Sequence, residues 1–299
     1  GHMWLAALAF GLLAPVVQAQ SSSDFSDVDA ALASGAYGPV RSLVIQRGGE
    51  LLHESYFRGA SRDDVQLLNS VTKSVGATLI GMAQRRALLD VDTPLHQLFA
   101  RYDWNSASLR DKRDITLAHV LSMRHGLQWD EWSTGFTDPR NSAVQMFASP
   151  DWYAYTLQRP RVSAPDVQFT YSSGVSTLMS GVLREATGRG VEDLFRAWLA
   201  EPLGFGPHRW ELWSPNGPGT GRTQFPHGDV PLGVGVWLRP RELARLGQLY
   251  LQDGVWNGRR LLDSEWIRAS WSLHNHAAND NYFQDEPERT GYGYQWWFL

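Results

Sequence analysis

The stretch Asn69–Gln84, NSVTKSVGATLIGMAQ, constrains this chain more than any other segment. Beyond Lys73 it carries no charge before Arg85 and is rich in Val, Leu, Ile, Ala and Met, so it reads as the start of a helix destined for the interior. One residue conflicts with that reading. Lys73 falls in the first turn, where the helix dipole is positive and a cation is disfavoured. Burying an ammonium there costs several kcal/mol, or about as much in lost protonation. The chain contains 27 Lys and Arg residues, of which two are lysines, Lys73 and Lys112, leaving 27 − 2 = 25 arginines. A lysine kept against that bias, at a position unfavourable for stability, points to chemistry that needs an amine able to lose its proton, which arginine cannot do. Lys112, in LRDKRD, reads as a solvated loop charge.

At 299 residues the chain can hold one large domain or two small ones. A net charge of −4 and the lack of any basic run argue against a nucleic-acid partner. The chain has no Cys, which excludes disulfides, thiolate catalysis, iron–sulfur clusters and Cys-based zinc sites. Gly1-His2-Met3 reads as a tag remnant. Trp4–Val17 is an apolar run of signal-peptide length, too short for a comfortable membrane span, with Val17-Gln18-Ala19 offering a cleavage site. Residues 1–19 are therefore expected to direct export to the periplasm or medium, with a buried N-terminal helix as the alternative. No cysteine follows the run to carry a lipid, so no stable membrane anchor is expected.

Residues 21–29 are polar and read as a linker. VRSLVIQRGGELLHESYF places apolar residues on both sides of Arg47-Gly48-Gly49, a hairpin signal. From Ser70 to about Gly204 the pattern turns helical, with i, i+3, i+4 spacing in ITLAHVLSM and VSTLMSGVLREATG and a further segment in DLFRAWLAEPLG. Phe205–Asp229, rich in Gly, Pro and Trp, reads as a long irregular loop. RPRELARLGQLYLQDG is an amphipathic helix with Gly254 as its expected C-cap, and GYGYQWWFL is strand-like. Strands towards both ends and helices between them predict an α/β (α+β) fold. Residues 20–299 then form one catalytic domain: an α/β part from 24–69 and 230–299, with a mainly helical subdomain, 70–229, inserted.

Ser70 precedes Lys73 by three residues, so the two side chains share a helix face one turn apart. At the helix start, free backbone N–H groups favour developing negative charge, a suitable setting for a serine nucleophile. Lys73 could take the hydroxyl proton or hold an adjacent phenolate. An N-cap serine followed by a chance lysine is the alternative, expected about one time in ten from average composition.

The segment NSVTKSVGATLIGMAQRRALLDVDTPL resembles the first motif of the serine β-lactamase and penicillin-binding protein superfamily. It is most similar to the class C, carboxylesterase and 6-aminohexanoate-dimer hydrolase branch. ITLAHVLSMRHGL, FTYSSGVSTLMSGVLREATGRGVEDLFRAWLAEPLG and WLRPRELARLGQLYLQDGVWNGRRLLDSEWI follow in that family's order, so the resemblance runs from about Arg41 to Trp297. It implies a β-lactamase-like fold, an antiparallel sheet flanked by helices with an inserted helical subdomain, and an acyl-enzyme at Ser70 with no cofactor. Tyr171, in Tyr171-Ser172-Ser173, falls at the second motif, which implies a phenol facing Ser70 with Lys73 beside it, acting as base and then as acid. Ser173 stands where class C enzymes carry Asn, a substrate-binding position, and fits the esterase and oligomer-hydrolase members better than the β-lactamases.

The resemblance also implies a third motif on a strand after the GYGYQWW block, so the C-terminal part of the sheet is expected to lie past Leu299. Arg289-Thr290-Gly291 imitates that motif but precedes the strand, and His227-Gly228 reads as a loop turn. Trp132, with Trp129 and Phe136, is expected either to wall an apolar substrate pocket or to pack under a long loop. Trp152 and Tyr153 are assigned to packing. His274-Asn275-His276 with Asp280 lacks metal-site spacing, Gly217–Arg222 lacks the ending of a phosphate-binding loop, and Gly174-x-Ser176 lacks the closing glycine of a nucleophile elbow. The expected activity is serine hydrolysis of carboxylic esters or small linear amides. The alternatives are a β-lactamase, a D-Ala-D-Ala carboxypeptidase, or a non-catalytic relative that keeps the pocket. Oligomeric state is not legible.

Overall fold

The computed structural model describes residues 24–211, 228–276 and 291–298. The chain opens with α1 (Ser26–Ser34), then the hairpin of β1 (Ser42–Arg47) and β2 (Glu50–Tyr56), and the short β3 (Gln66–Leu67). A 3₁₀ turn, Asn69–Val71, leads into α2 (Thr72–Arg85). Short helices follow: α3 (Leu95–Leu98), α4 (Leu117–Leu121), α5 (Ser142–Ala148) and α6 (Trp152–Leu157). After them come α7 (Ser173–Thr187), α8 (Val191–Leu194), a π-helical segment Phe195–Ala200, α9 (Glu201–Leu203) and β4 (Arg209–Trp210). The remainder comprises β5 (Val236–Leu238), α10 (Pro240–Leu251), β6 (Val255–Trp256), β7 (Arg259–Arg260), α11 (Ser264–Ser270), β8 (Asn275–His276), β9 (Gly291–Tyr292) and β10 (Trp297–Phe298).

All strand pairings are antiparallel. Gly48 and Gly49 take φ of 59° and 86°, the backbone a two-residue hairpin turn requires, and they set Arg47 opposite Glu50. The register slips between Ile45 and Gln46. β5 lies between β3 and β4, so the segment just before Ser70 pairs with the segment after residue 230. β9 lies between β8 and β10. The expected α/β composition holds, with strands joined from both halves of the chain. Among the described residues they form several small sheets and not one broad one.

The core is built on α2. Every residue from Thr72 to Ala83 is buried, and the helix packs against α7. Gly81 permits α11 to cross closely, since a Cβ there would lie 2.4 Å from the Trp266 indole nitrogen. Trp152 and Tyr153 join the same core, as expected.

The structure corrects several local expectations. The polar linker of residues 21–29 gives way to α1 from Ser26. This helix buries no residue and is tied down through Asp29, which takes a 2.6 Å hydrogen bond from the Ser55 hydroxyl and lies 3.0 Å from His53 Nε2. Lys112 is not solvated: it is 3% exposed, its ammonium held by the Ser108 carbonyl and Asp111. The loop expected from Phe205 contains β4, while residues 212–227 lie outside the described ones. Helix α10 ends at Leu251 with Gln252 as its cap. Gly254 instead serves the following turn at φ 78°, where a Cβ would meet the Leu262 carbonyl at 2.3 Å. The aromatic strand divides into β9 and β10 around a bend in which Gln295 takes φ 61°.

Candidate active site

Backbone pairing delivers the first side chain. Leu68 N–H donates to the Val236 carbonyl at 3.0 Å, ending the β3–β5 ladder, and Asn69 then takes φ 46° to turn the chain into the 3₁₀ entry of α2. Left-handed backbone at a non-glycine residue is strained and concentrates at functional positions. Ser70 lies directly after it and is exposed, whereas Lys73, one turn on, is 1% exposed. The i, i+3 spacing therefore places an accessible hydroxyl over a buried amine.

Lys73 Nζ donates to Ser70 Oγ at 3.0 Å, to Ser173 Oγ at 3.0 Å and to the Gly233 carbonyl at 2.8 Å. Three protons meet three acceptors, so the ammonium form is fully satisfied. Burial nevertheless pulls the Lys73 pKa from 10.5 to about 8, opposed in part by the negative charge of Glu131. A measurable share of the amine is neutral near physiological pH. In that form the nitrogen keeps two N–H groups for Ser173 and Gly233 and can turn its lone pair to the Ser70 hydroxyl.

Tyr171 and Ser173 reach the amine from the entry to α7. Ser172 caps that helix by accepting from the Val175 N–H at 3.1 Å. Tyr171 is 4% exposed and presents its ring to Lys73, with Nζ 4.8 Å from the ring centre. The contact is therefore made through the aromatic face, a favourable geometry for a cation. The ring also stacks on Trp297 at 5.5 Å and tilts against Trp132 at 5.2 Å. Trp132 meets the half-exposed Phe136 edge-on at 6.5 Å, so both end up on the open side of this aromatic group. Trp129 does not join them. It is buried, and its indole N–H donates to Glu131 at 2.6 Å.

Several residues at this centre had no signal in the sequence reading. Glu131, 1% exposed, accepts from the Ser173 N–H and hydroxyl, both at 2.9 Å. Gly233 contributes only a backbone carbonyl. His125 is buried: the Leu127 N–H donates to its Nδ1, leaving Nε2–H for the Thr170 carbonyl just before Tyr171. Burial lowers its pKa to about 4, so it is a neutral bracket for the Tyr171 segment. Gln295 forms another bracket. Its backbone carbonyl accepts from Ser74 and its side-chain oxygen from Ser176, while its amide donates to the Val120 and Leu121 carbonyls.

His274, the first residue of the candidate metal triplet, stacks on Tyr294 at 4.4 Å and bonds the Ala269 carbonyl. Asp280, His227, residues 217–222, Arg289, Thr290 and residues 1–23 lie outside the described ones. Among the described residues no group of His, Asp and Glu is arranged to hold a metal ion, and no helix is long and apolar enough to cross a membrane.

Comparison with known proteins agrees with this architecture. The Beta-lactamase family model matches residues 29–299. The 6-aminohexanoate-dimer hydrolase of Paenarthrobacter ureafaciens is 24% identical over 268 residues, covering 86% of this chain and 63% of that protein. Esterase/beta-lactamase LipL of Mycobacterium tuberculosis is 25% identical over 189 residues, covering 62% of this chain and 37% of LipL. The chain thus spans less than two thirds of the length of either relative. Among solved structures, the octameric penicillin-binding protein homologue of Pyrococcus abyssi superposes with a TM-score of 0.68 at 15% identity, over 92% of this chain and 65% of that one, which shows a shared fold.

Proposed function

From the premise that the chain belongs to the Beta-lactamase family, we propose that it is a serine hydrolase acting on carboxylic esters or small linear amides through an acyl-enzyme at Ser70. The observation that carries the reading is the 3.0 Å hydrogen bond between a buried Lys73 amine and an exposed Ser70 hydroxyl. Neutral Lys73 takes the Ser70 proton as Oγ bonds to the substrate carbonyl carbon. The tetrahedral intermediate collapses, the bond to the leaving group breaks, and that group departs with a proton. The protonated amine passes its proton through Tyr171 to the leaving group and is neutral again. Water then gives that amine a proton as its oxygen bonds to the acyl carbon, and the amine returns the proton to Ser70 Oγ as the ester bond breaks and the carboxylic acid leaves.

Tyr171 is assigned the leaving-group proton on the family resemblance; the contact of its ring face with Lys73 supports its membership of the site. Trp132 is assigned to one wall for an acyl or aryl group, supported by its place between Tyr171 and exposed Phe136. The names of the two relatives favour esters and amides as the substrate class. Export directed by residues 4–19 and division into parts 24–69 with 230–299 and 70–229 belong to the same proposal.

A fluorophosphonate probe tests the nucleophile. Labelling should map to Ser70 and vanish in Ser70→Ala. A protein that is labelled elsewhere, or that turns over nitrocefin far better than short p-nitrophenyl esters, overturns the reading.

A further inference from the structure

Glu131 is a buried carboxylate that, among the described residues, has no cation in direct contact. It lies in an irregular loop, 1% exposed between exposed Asp130 and half-buried Trp132. The loop is pinned by the Asn141 side-chain amide, which donates to the Glu131 carbonyl at 3.0 Å. Its carboxylate accepts from the Trp129 indole, the Ser173 N–H and the Ser173 hydroxyl. Burying a carboxylate away from a counter-ion is unfavourable, and such groups persist where something requires them.

We propose that Glu131 is a positioning residue of the reaction, which fixes the Ser173 hydroxyl and, through it, the direction and charge state of Lys73. Ser173 Oγ stands between Nζ at 3.0 Å and Glu131 Oε1 at 2.9 Å. A hydroxyl has one proton, so donating it to the carboxylate leaves its lone pairs aimed at the amine. The Lys73–Ser173 bond therefore has a fixed sense, and the rotamer that brings Nζ to Ser70 is fixed with it. The groups facing Lys73 are Ser70 on its own helix entry, Tyr171 and Ser173 at the entry to α7, the Gly233 carbonyl, and Glu131 behind Ser173. Of these, Glu131 and Tyr171 can ionise. A carboxylate two hydrogen bonds away stabilises the ammonium that forms when Ser70 gives up its proton, and it keeps burial from lowering the proton affinity of the amine further. On this assignment Ser173 belongs to the proton-handling chain and not to substrate recognition.

The proposal rests on the serine-hydrolase reading of Ser70 and Lys73, yet it can be tested without turnover. Because the chain holds two lysines, Lys73 and Lys112, protein labelled with ¹³C at lysine Cε gives two side-chain signals whose pH titration reads each amine separately. Wild-type Lys73 should titrate near 8, and Glu131→Gln should lower that midpoint by about one pH unit or more while the Lys112 signal stays in place. Glu131→Asp, which keeps the charge, should restore the midpoint towards wild type. An unchanged midpoint in Glu131→Gln with an unmoved Lys112 signal overturns the proposal.

Ser173→Ala provides a second arm, in which kcat on a p-nitrophenyl ester should fall about tenfold or more with KM held. A rise in KM at constant kcat would instead make Ser173 a substrate contact and overturn the relay. A wild type that titrates as expected but hydrolyses nothing refutes the hydrolase reading, and with it any part of Glu131 in a reaction, while the hold of Glu131 on the Lys73 charge is read separately by the titration.

Discussion

Replacing Lys73 by Met should separate the demands of the site from those of the fold. The unfolded chain holds a lysine of pKa 10.5, whereas in the folded protein burial brings Lys73 to about 8. Below pH 8 the amine is charged in both states, and folding must desolvate it. The gap corresponds to about 3 kcal/mol against the native state, at 1.36 kcal/mol per pH unit. Between pH 8 and 10.5 the unfolded chain binds more protons than the folded one, so stability rises with pH and the penalty is relieved. From pH 7 to 9.5 that relief amounts to about 2 kcal/mol. Met fills a similar volume without a titrating group, so Lys73→Met should lack this increment. Urea unfolding of both proteins at the two pH values, followed by tryptophan fluorescence, measures it, because ionisations common to both cancel in the difference. At pH 7 the Met variant should match or exceed wild type, less the cost of leaving the Gly233 carbonyl unbonded. A wild-type-minus-variant difference that is the same at pH 7 and 9.5 would refute the claim that Lys73 is held in the interior at the expense of stability.

Ester hydrolysis should rise with pH with a midpoint near 8, as Lys73 loses its proton, and Lys73→Arg should abolish turnover with the circular dichroism spectrum unchanged. A flat kcat/KM profile between pH 6 and 9 would remove the amine from the chemistry. Gly174→Ala should cost about 1–3 kcal/mol by overpacking, because a Cβ there would lie 2.4 Å from the Trp129 ring. Displacing that ring also disturbs Glu131, so kcat should fall along with Tm in a thermal melt and rate assay. Arg184→Ala should destabilise by about 3 kcal/mol in urea unfolding, since it strands Asp229, whose fully buried carboxylate takes two 2.7 Å hydrogen bonds from that guanidinium.

The parts of the site that follow helical spacing were legible in the sequence. Ser70 and Lys73 meet because three residues make nearly one turn, and the apolar run around Lys73 announced its burial. Tyr171 and Ser173 lie about a hundred positions away, and no local pattern joins them to Lys73. Their association came from a family resemblance, which placed Ser173 among substrate contacts, whereas its hydroxyl is held between Lys73 and Glu131. Glu131 was missed for a physical reason. In Trp129-Asp130-Glu131-Trp132 the two acidic residues look alike, and loop backbone alone decides that one faces water and the other the core. Gly233 acts through its carbonyl, which side-chain patterns do not encode. Lys112 departs from the expectation of a solvated charge because the Ser108 carbonyl and Asp111 satisfy its ammonium within the loop. In the fold, hairpin glycines and long amphipathic helices were visible, while two-residue strands such as β4 draw their definition from partners distant in sequence.

Gln295 has a bearing on how this molecule comes into being. It clasps α2, α4 and α7 at once, and its bond with Ser74 spans 221 positions. Contacts of such span form slowly, because the intervening loop must close before they return any gain. A nascent chain that has already made Ser70 and Lys73 still lacks the clamp that ties their helix to the entry of α7. The assembled site should therefore emerge in one late step during folding, well after most helices have formed.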